Sequence, residues 1–196
     1  MCGRFYLEPG EDSINAVINC LKTKYPDEII RYGEIFPSDK IPAVTAEFGR
    51  ISAEFVRWGY GRRGGKTVIN ARAESITEKE FFASDFHHRR CLLPATGFYE
   101  WSSDKKKYLF RRKDEKALYL GAVFRIRYGI RECVVLTKDA TYPIDEIHDR
   151  IPIILDESNI RQWLFSADYA GGYIGKGFSG GIKKTSAMNA FLRESR

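Results

Sequence analysis

The sequence predicts an α+β fold in a single domain spanning residues 1–196, with a mainly antiparallel, β-barrel-like sheet and peripheral helices. Three observations support this. Residues 90–137 carry four runs rich in β-branched, aromatic and leucine residues, RCLLPATGFYEW, KYLFRR, ALYLGAVFRI and RECVVLT. Helical periodicity is confined to short segments outside them. The chain has 43% hydrophobic and 14% aromatic residues and no repeat, linker or low-complexity tract, which suits one compact core.

In chain order, residues 3–7 read as a short strand. Ile14, Val17, Ile18 and Leu21 then fall at i, i+3, i+4 and i+7, a helix capped by Asp12 or Ser13 and ended by Pro26. Strands follow near 41–47 and 51–58, then GYGRRGG at 59–65, a flexible basic turn. Thr77 and Glu80 make a capping box, so a second helix is expected from Thr77, with Phe81, Phe82 and Phe86 on its core face. After the four strand runs come a helical turn at Pro143–His148, the apolar strand IPIIL, and a helix near 157–165 opened by Asp156. The last 25 or so residues are glycine-rich with little periodicity.

The formal net charge is +6, which favours polyanionic partners such as nucleic acid. The first residues lack an apolar signal region, and no apolar run approaches the roughly 18 residues of a membrane span, so the cytoplasm is expected and a membrane partner is not. Four scattered cysteines form no CxxC pair, which argues against a zinc site. Cys20, Cys91 and Cys133 read as small buried apolar residues. His87–His88, beside Arg89 and Arg90, reads as a basic surface turn rather than a metal site, and KKK at 105–107 as a solvated loop.

Several residues have chemical potential. Methionine aminopeptidases remove Met1 when a small residue follows, which would leave Cys2 with a free α-amine and a thiol on adjacent carbons. Such a 1,2-aminothiol condenses with aldehydes to a thiazolidine ring. Arg4 is close enough in sequence to lower the thiol pKa. In INARAES, Asn70, Arg72 and Glu74 alternate with Ala71 and Ala73, so one face of an extended segment carries an amide, a guanidinium and a carboxylate. Such a face suits a phosphate or sugar, and equally plain solvent. Glu100 in GFYEW lies within an aromatic run. Buried, it would have a raised pKa fit for acid–base work; turned outward, it would be an ordinary strand residue. His148 in EIHDRIP can relay protons near neutrality. Arg62, Arg63, Arg89, Arg90, Arg125 and Arg127 intersperse with aromatics such as Trp58, a texture suited to phosphate contacts and base stacking.

The order of these motifs is more specific than any one of them. MCGRF, Pro37 with Pro42, Trp58–Gly59, INARAES, RCLLPATGFYEW and EIHDRIP together resemble the SRAP (SOS response-associated peptidase) family, from residue 2 to about 155. The resemblance implies a covalent crosslink through Cys2 to abasic sites in single-stranded DNA, including junctions with duplex, during the DNA damage response. It implies that Asn70 positions Cys2 and the sugar, that Glu100 is the acid–base catalyst, and that His148 assists proton transfer and reversal. Pro37, Arg4, Arg72 and Arg150 fall on DNA-binding positions, and Trp58 beside the bases. No cofactor or metal is implied. A monomer is expected, associated with the nucleoid when on DNA. Hydrolase (thiol autopeptidase) and lyase-like activities through the same residues come with the family. Two departures stand out: GYGRRGG replaces the family's usual Pro and second Trp, and the chain ends early in a glycine-rich segment.

Two other classes use parts of the same pattern. N-terminal-nucleophile amidohydrolases also begin Met-Cys-Gly, but need a longer chain and a four-layer fold. A non-covalent single-stranded DNA-binding module would need the basic, aromatic surface and not Cys2.

Overall fold

A computed structural model describes residues 2–62, 64–176, 178 and 180–186. The elements in chain order are β1 (Arg4–Leu7), α1 (Asp12–Lys24), β2 (Gly33–Ile35), β3 (Lys40–Glu47), β4 (Arg50–Trp58), β5 (Tyr60–Arg62), β6 (Gly65–Val68) and β7 (Asn70–Arg72). Then come α2 (Glu80–His88), β8 (Arg90–Ala95), β9 (Gly97–Trp101), β10 (Lys107–Arg112), β11 (Leu118–Arg127) and β12 (Ile130–Asp139). The last are β13 (Arg150–Pro152), β14 (Ile154–Leu155), α3 (Ile160–Phe165), α4 (Ala167–Ile174) and β15 (Ile182–Ser186).

The larger sheet closes on itself in the order β12-β4-β3-β8-β11 and back to β12. All pairs in this ring are antiparallel except β4 with β12, a short parallel contact of Arg57 with Glu132 and Trp58 with Cys133. Strands β13, β14 and β7 add to it, β7 running parallel to β12. A second, five-stranded sheet has the order β15-β10-β9-β1-β2. Every residue of β8 is buried, because the strand is paired on both sides and covered by β1 and α3. Trp58, Leu92, Leu118, Leu120, Val134 and Leu136 are among the fully buried side chains of the core.

Local chemistry sets the boundaries, and several differ from the sequence reading. Helix α1 buries Ile14, Ile18 and Leu21 against β3 and β4, as its periodicity predicts. Its cap is Glu11 rather than Asp12 or Ser13: the Glu11 carboxylate accepts the N–H groups of Ser13 and Ile14 at 3.0 and 3.1 Å. Cys20 lies on the solvent side of this helix, so it is exposed, unlike the buried Cys91 and Cys133.

The Thr77 capping box does not form. Residues 73–75 coil into a 3₁₀ turn directly off β7, which leaves Thr77 in the connection and starts α2 at Glu80. Phe82 and Phe86 face the core, but Phe81 remains 39% exposed. GYGRRGG is not a loose turn but part of a hairpin, β5 against β6; its Arg63 lies outside the described residues. RCLLPATGFYEW is two strands in two sheets, with a bend at Thr96, whose N–H donates to Tyr6 O at 2.7 Å.

The expected helical turn at Pro143–His148 forms, closed by the His148 N–H on Ile144 O at 2.9 Å, and the 157–165 segment is a 3₁₀ turn followed by α3. Helix α4 lies just before the last 25 or so residues and runs into them, and strand β15 forms within them despite their lack of periodicity. Within that stretch, residues 177, 179 and 187–196 lie outside the described residues. No described helix is long and apolar enough to cross a membrane.

Candidate active site at the β1–β9 edge

Strand pairing brings the amino-terminal segment to Glu100. Strand β1 runs antiparallel to β9 with Arg4 opposite Tyr99, Phe5 opposite Phe98 and Tyr6 opposite Gly97. Continued past Arg4, this register lays residues 2–3 alongside Glu100 and Trp101. Gly97 permits the close packing on the other side of β9, since a Cβ there would sit 2.7 Å from Phe110 O. Cys2 is fully buried, and its thiol donates weakly to Arg4 O at 3.7 Å. From the ring sheet, β7 delivers Asn70, whose Nδ2 donates to Cys2 O at 2.8 Å. Cys2, Asn70 and Glu100 therefore meet where the two sheets adjoin.

Burial dominates the electrostatics. Glu100 is 2% exposed, and desolvation raises its pKa to about 7, with the negative charge of Asp149 adding to the rise. Near neutrality this carboxyl is divided between its acid and base forms. Burial also drives the Cys2 pKa far upward, and Glu100's charge pushes the same way. The thiol is thus held neutral; Arg4 does not activate it, contrary to the sequence expectation, because its guanidinium turns to Glu34. His148 is half-buried, and its pKa is lowered, chiefly by burial. Its Nδ1 accepts the Arg150 N–H at 3.0 Å, which fits the neutral ring; protonated, the same nitrogen would turn to Asp149 Oδ1, 2.8 Å away.

A cationic, aromatic rim borders Cys2. Arg4 bonds Glu34 at 2.9 Å and lies 3.9 Å from the Phe36 ring centroid and 5.9 Å from that of Trp101. Lys107 bonds the other Glu34 oxygen at 2.7 Å and covers Tyr99 at 3.9 Å. Burial opposes ionisation of Glu34, but the bonds from Lys107 and Arg4 outweigh it and lower its pKa. Glu34 and Phe36 carry no signal in the sequence, and Lys107 belongs to a KKK run expected to be a solvated loop. Nothing local marks them, because their partners lie on other strands: Arg4 on β1, Tyr99 on β9, and, for Glu34 and Lys107, each other across β2 and β10. Pro37 is partly buried and adjoins Phe36, at the edge of this rim.

The remaining expected DNA-binding residues divide. Arg72 is exposed at the end of β7, with Ala71 and Ala73 buried behind it as the alternation predicts. Trp58 corrects the sequence reading. It is fully buried and its Nε1 donates to Ile69 O at 3.0 Å, so it has no face to offer a base. Arg150 is 7% exposed and committed inward, to Glu74 at 2.8 Å, to Asp139, and to Thr137 O at 2.6 Å. Arg90 is likewise buried among the carbonyls of Phe86, His87, Trp163 and Leu164. Arg125 is held by Glu132 and Gly61 O, and Arg127 by Gly61 O. His87 and His88 are exposed at the end of α2. Among the described residues no group of three or more His, Cys, Asp or Glu side chains is placed to hold a metal ion.

Comparison with known proteins gives a consistent picture. The family model described as SOS response associated peptidase (SRAP) matches residues 1–171. The abasic site processing protein YoaM of Bacillus subtilis is 31% identical over 185 residues, covering 84% of this chain and 79% of its own. The abasic site processing protein YedK of Escherichia coli is 25% identical, with 84% and 79% covered. Solved structures with the same fold include a protein from Bacteroides thetaiotaomicron, with a TM-score of 0.74 at 18% identity over 98% of this chain and 94% of that one. A phage-related protein from Bordetella bronchiseptica also scores 0.74, at 19% identity over 95% and 94%.

Proposed function

The chain belongs to the SOS response associated peptidase family, and from that premise we propose that it processes abasic sites in single-stranded DNA by joining Cys2 to the lesion. The observation that best supports this reading is a buried carboxyl, Glu100, with a pKa near 7, beside a buried cysteine at position 2.

The reaction requires removal of Met1, which lies outside the described residues. An abasic deoxyribose is mostly a closed hemiacetal. Protonated Glu100 donates to the ring oxygen while neutral His148 takes the proton of the C1′ hydroxyl, and the ring opens to the C1′ aldehyde. The Cys2 amine adds to that carbon, and the resulting carbinolamine loses water to give an imine. The thiol then adds across the C=N bond: a carbon–sulfur bond forms and the thiol proton ends on nitrogen. One water leaves, and no oxidant or reductant is needed. A thiol kept neutral by burial suits this order, since it gives up its proton only when the imine nitrogen can take it. Asn70 fixes the Cys2 backbone, and neutral His148 relays protons at the sugar and in reversal. Arg4 and Arg72 contact phosphates, and Arg150 acts indirectly by holding Glu74 and Asp139 at the edge that carries His148. The closed adduct shields the lesion from strand cleavage at a strand end, a junction or within open single strand.

The test is a single-stranded oligonucleotide bearing one abasic site, incubated with protein shown by intact mass to lack Met1. A shifted band on denaturing gels from wild type, absent with Cys2→Ala, is the expected result. No band from wild type would overturn the reading. Retained binding without a band would favour a non-covalent module, and self-cleavage without a band a processing peptidase.

A further inference from the structure

An open groove of about 670 Å³ leads away from Asn70, between the β5–β6 hairpin and the start of α2. Its lining includes Asn70, Arg72, Arg62, Lys79 and Phe81, with Glu80 the one acidic side chain among the described residues. This is the segment where the sequence departs from the family pattern, and Phe81, expected in the core from sequence, is 39% exposed.

Two features of the groove point to one kind of ligand. The first is its charge. Arg62, Arg72 and Lys79 are exposed, and among the described residues none of them makes an ion pair, whereas most other arginines on this side are tied to Glu132 or to carbonyl groups. The second is a stacking surface. Phe81 is 39% exposed, backed by Phe82 at 4.8 Å and Tyr60 at 5.9 Å, and the guanidinium groups of Arg62 and Arg125 lie over its ring at 4.8 and 5.3 Å from the centroid. A rigid aromatic face beside unneutralised guanidinium groups fits a nucleobase and its flanking phosphates. The groove begins at the residue that holds Cys2, so a strand with its lesion at Cys2 would have a neighbouring nucleotide here.

We propose that this groove is a nucleotide subsite, in which Phe81 stacks on a base next to the lesion and Arg62 and Lys79 hold its phosphates. It rests on the abasic-site reading and extends it. The subsite reads no sequence, since every base has a stacking face. It replaces, with residues from a different part of the chain, the aromatic contact that buried Trp58 cannot make.

The experiment uses a fluorescent single-stranded oligonucleotide carrying a tetrahydrofuran analogue of the abasic site, which has no aldehyde and therefore measures binding without crosslinking. Affinity is measured by anisotropy across a range of salt concentrations. A true abasic oligonucleotide is run in parallel for crosslinking. Phe81→Leu, which keeps the packing on Phe82 and Tyr60, should weaken binding about tenfold, and Phe81→Tyr should restore it. Arg62→Ala and Lys79→Ala should each reduce the slope of log affinity against log salt by about 1. Variants that bind as wild type does, with the same salt slope, while wild type still crosslinks would overturn the subsite and leave the reading intact. Wild type that neither binds nor crosslinks would overturn both.

Discussion

Asn70 and Cys2, 68 positions apart, are joined by one bond from the Asn70 amide to the Cys2 carbonyl, 2.8 Å long. The other end of that amide, Oδ1, is buried with no protein partner among the described residues. Asn70 therefore fixes the amino-terminal segment while keeping an acceptor in hand at the site. Asn70→Ala should cost about 1 kcal/mol of stability, the usual net worth of such a bond. Crosslinking in single-turnover assays should slow by more, roughly 10- to 100-fold, because misplacement of reacting atoms is penalised steeply. Asn70→Asp should be worse than Ala, since a carboxylate would face the Cys2 carbonyl.

The raised pKa of Glu100 makes both rate and stability depend on pH. In the unfolded chain the group titrates near 4.5 and in the folded chain near 7, so the folded state binds the proton more tightly. Stability should therefore fall as pH rises from about 4.5 to 7 and level off above, by at most roughly 3 kcal/mol. Glu100→Gln removes this penalty: its melting temperature should exceed that of wild type at pH 8 and match it near pH 4. Its crosslinking should drop about 100-fold and lose the inflection near pH 7. A variant that keeps the wild-type pH profile would show that Glu100 is not the titrating group.

Glu132 is 1% exposed and holds Arg57, Arg125 and the Gly61 N–H around it. Its pKa is lowered, because the bonds from Arg125 and Arg57 outweigh the opposing effect of burial. Glu132→Ala would leave Arg125 partly buried without its carboxylate, at a cost of about 3–5 kcal/mol in urea unfolding. Since Gly61 belongs to the β5–β6 hairpin, amide exchange along residues 60–68 should rise in the same variant.

Trp58→Ala should act on the fold. Removing a fully buried indole costs roughly 3–5 kcal/mol. Trp58→Phe, which keeps most of the packing and loses the bond to Ile69 O, should cost about 1 kcal/mol and leave the affinity for abasic-analogue DNA unchanged. A large loss of affinity in a well-folded Trp58→Phe would contradict the burial seen here.

Arg150→Ala removes the link from β13 to Glu74, Asp139 and Thr137 O. Both carboxylates left behind are substantially exposed, so the cost should be about 1–2 kcal/mol. The salt dependence of DNA binding should stay as in wild type if Arg150 contacts no phosphate.

Local pattern made the strand runs, the first helix and the burial option for Glu100 legible in the sequence, because each depends on neighbours within a few positions. What it missed depends on distant partners. Arg150 reads as a surface cation until Glu74, 76 positions away, comes to meet it. Lys107 reads as a loop residue until Glu34 does. Helix α4 was hidden by Gly171 and Gly172, which lower helix propensity. It forms because Tyr173 packs on Trp163 at 6.3 Å and its hydroxyl donates to Ile154 O at 3.0 Å. The alternation of Asn70 and Arg72 was readable, but not that one would meet Cys2 and the other solvent.

Of the four cysteines, three are sealed from water and Cys20 alone lies open on α1. Thiol reagents and peroxides attack thiolates they can reach, so they should spend themselves on Cys20 and spare Cys2. Oxidation should therefore register first on α1, leaving the sulfur at position 2 reduced. In the laboratory the same asymmetry allows a maleimide dye to be placed on α1 without blocking Cys2.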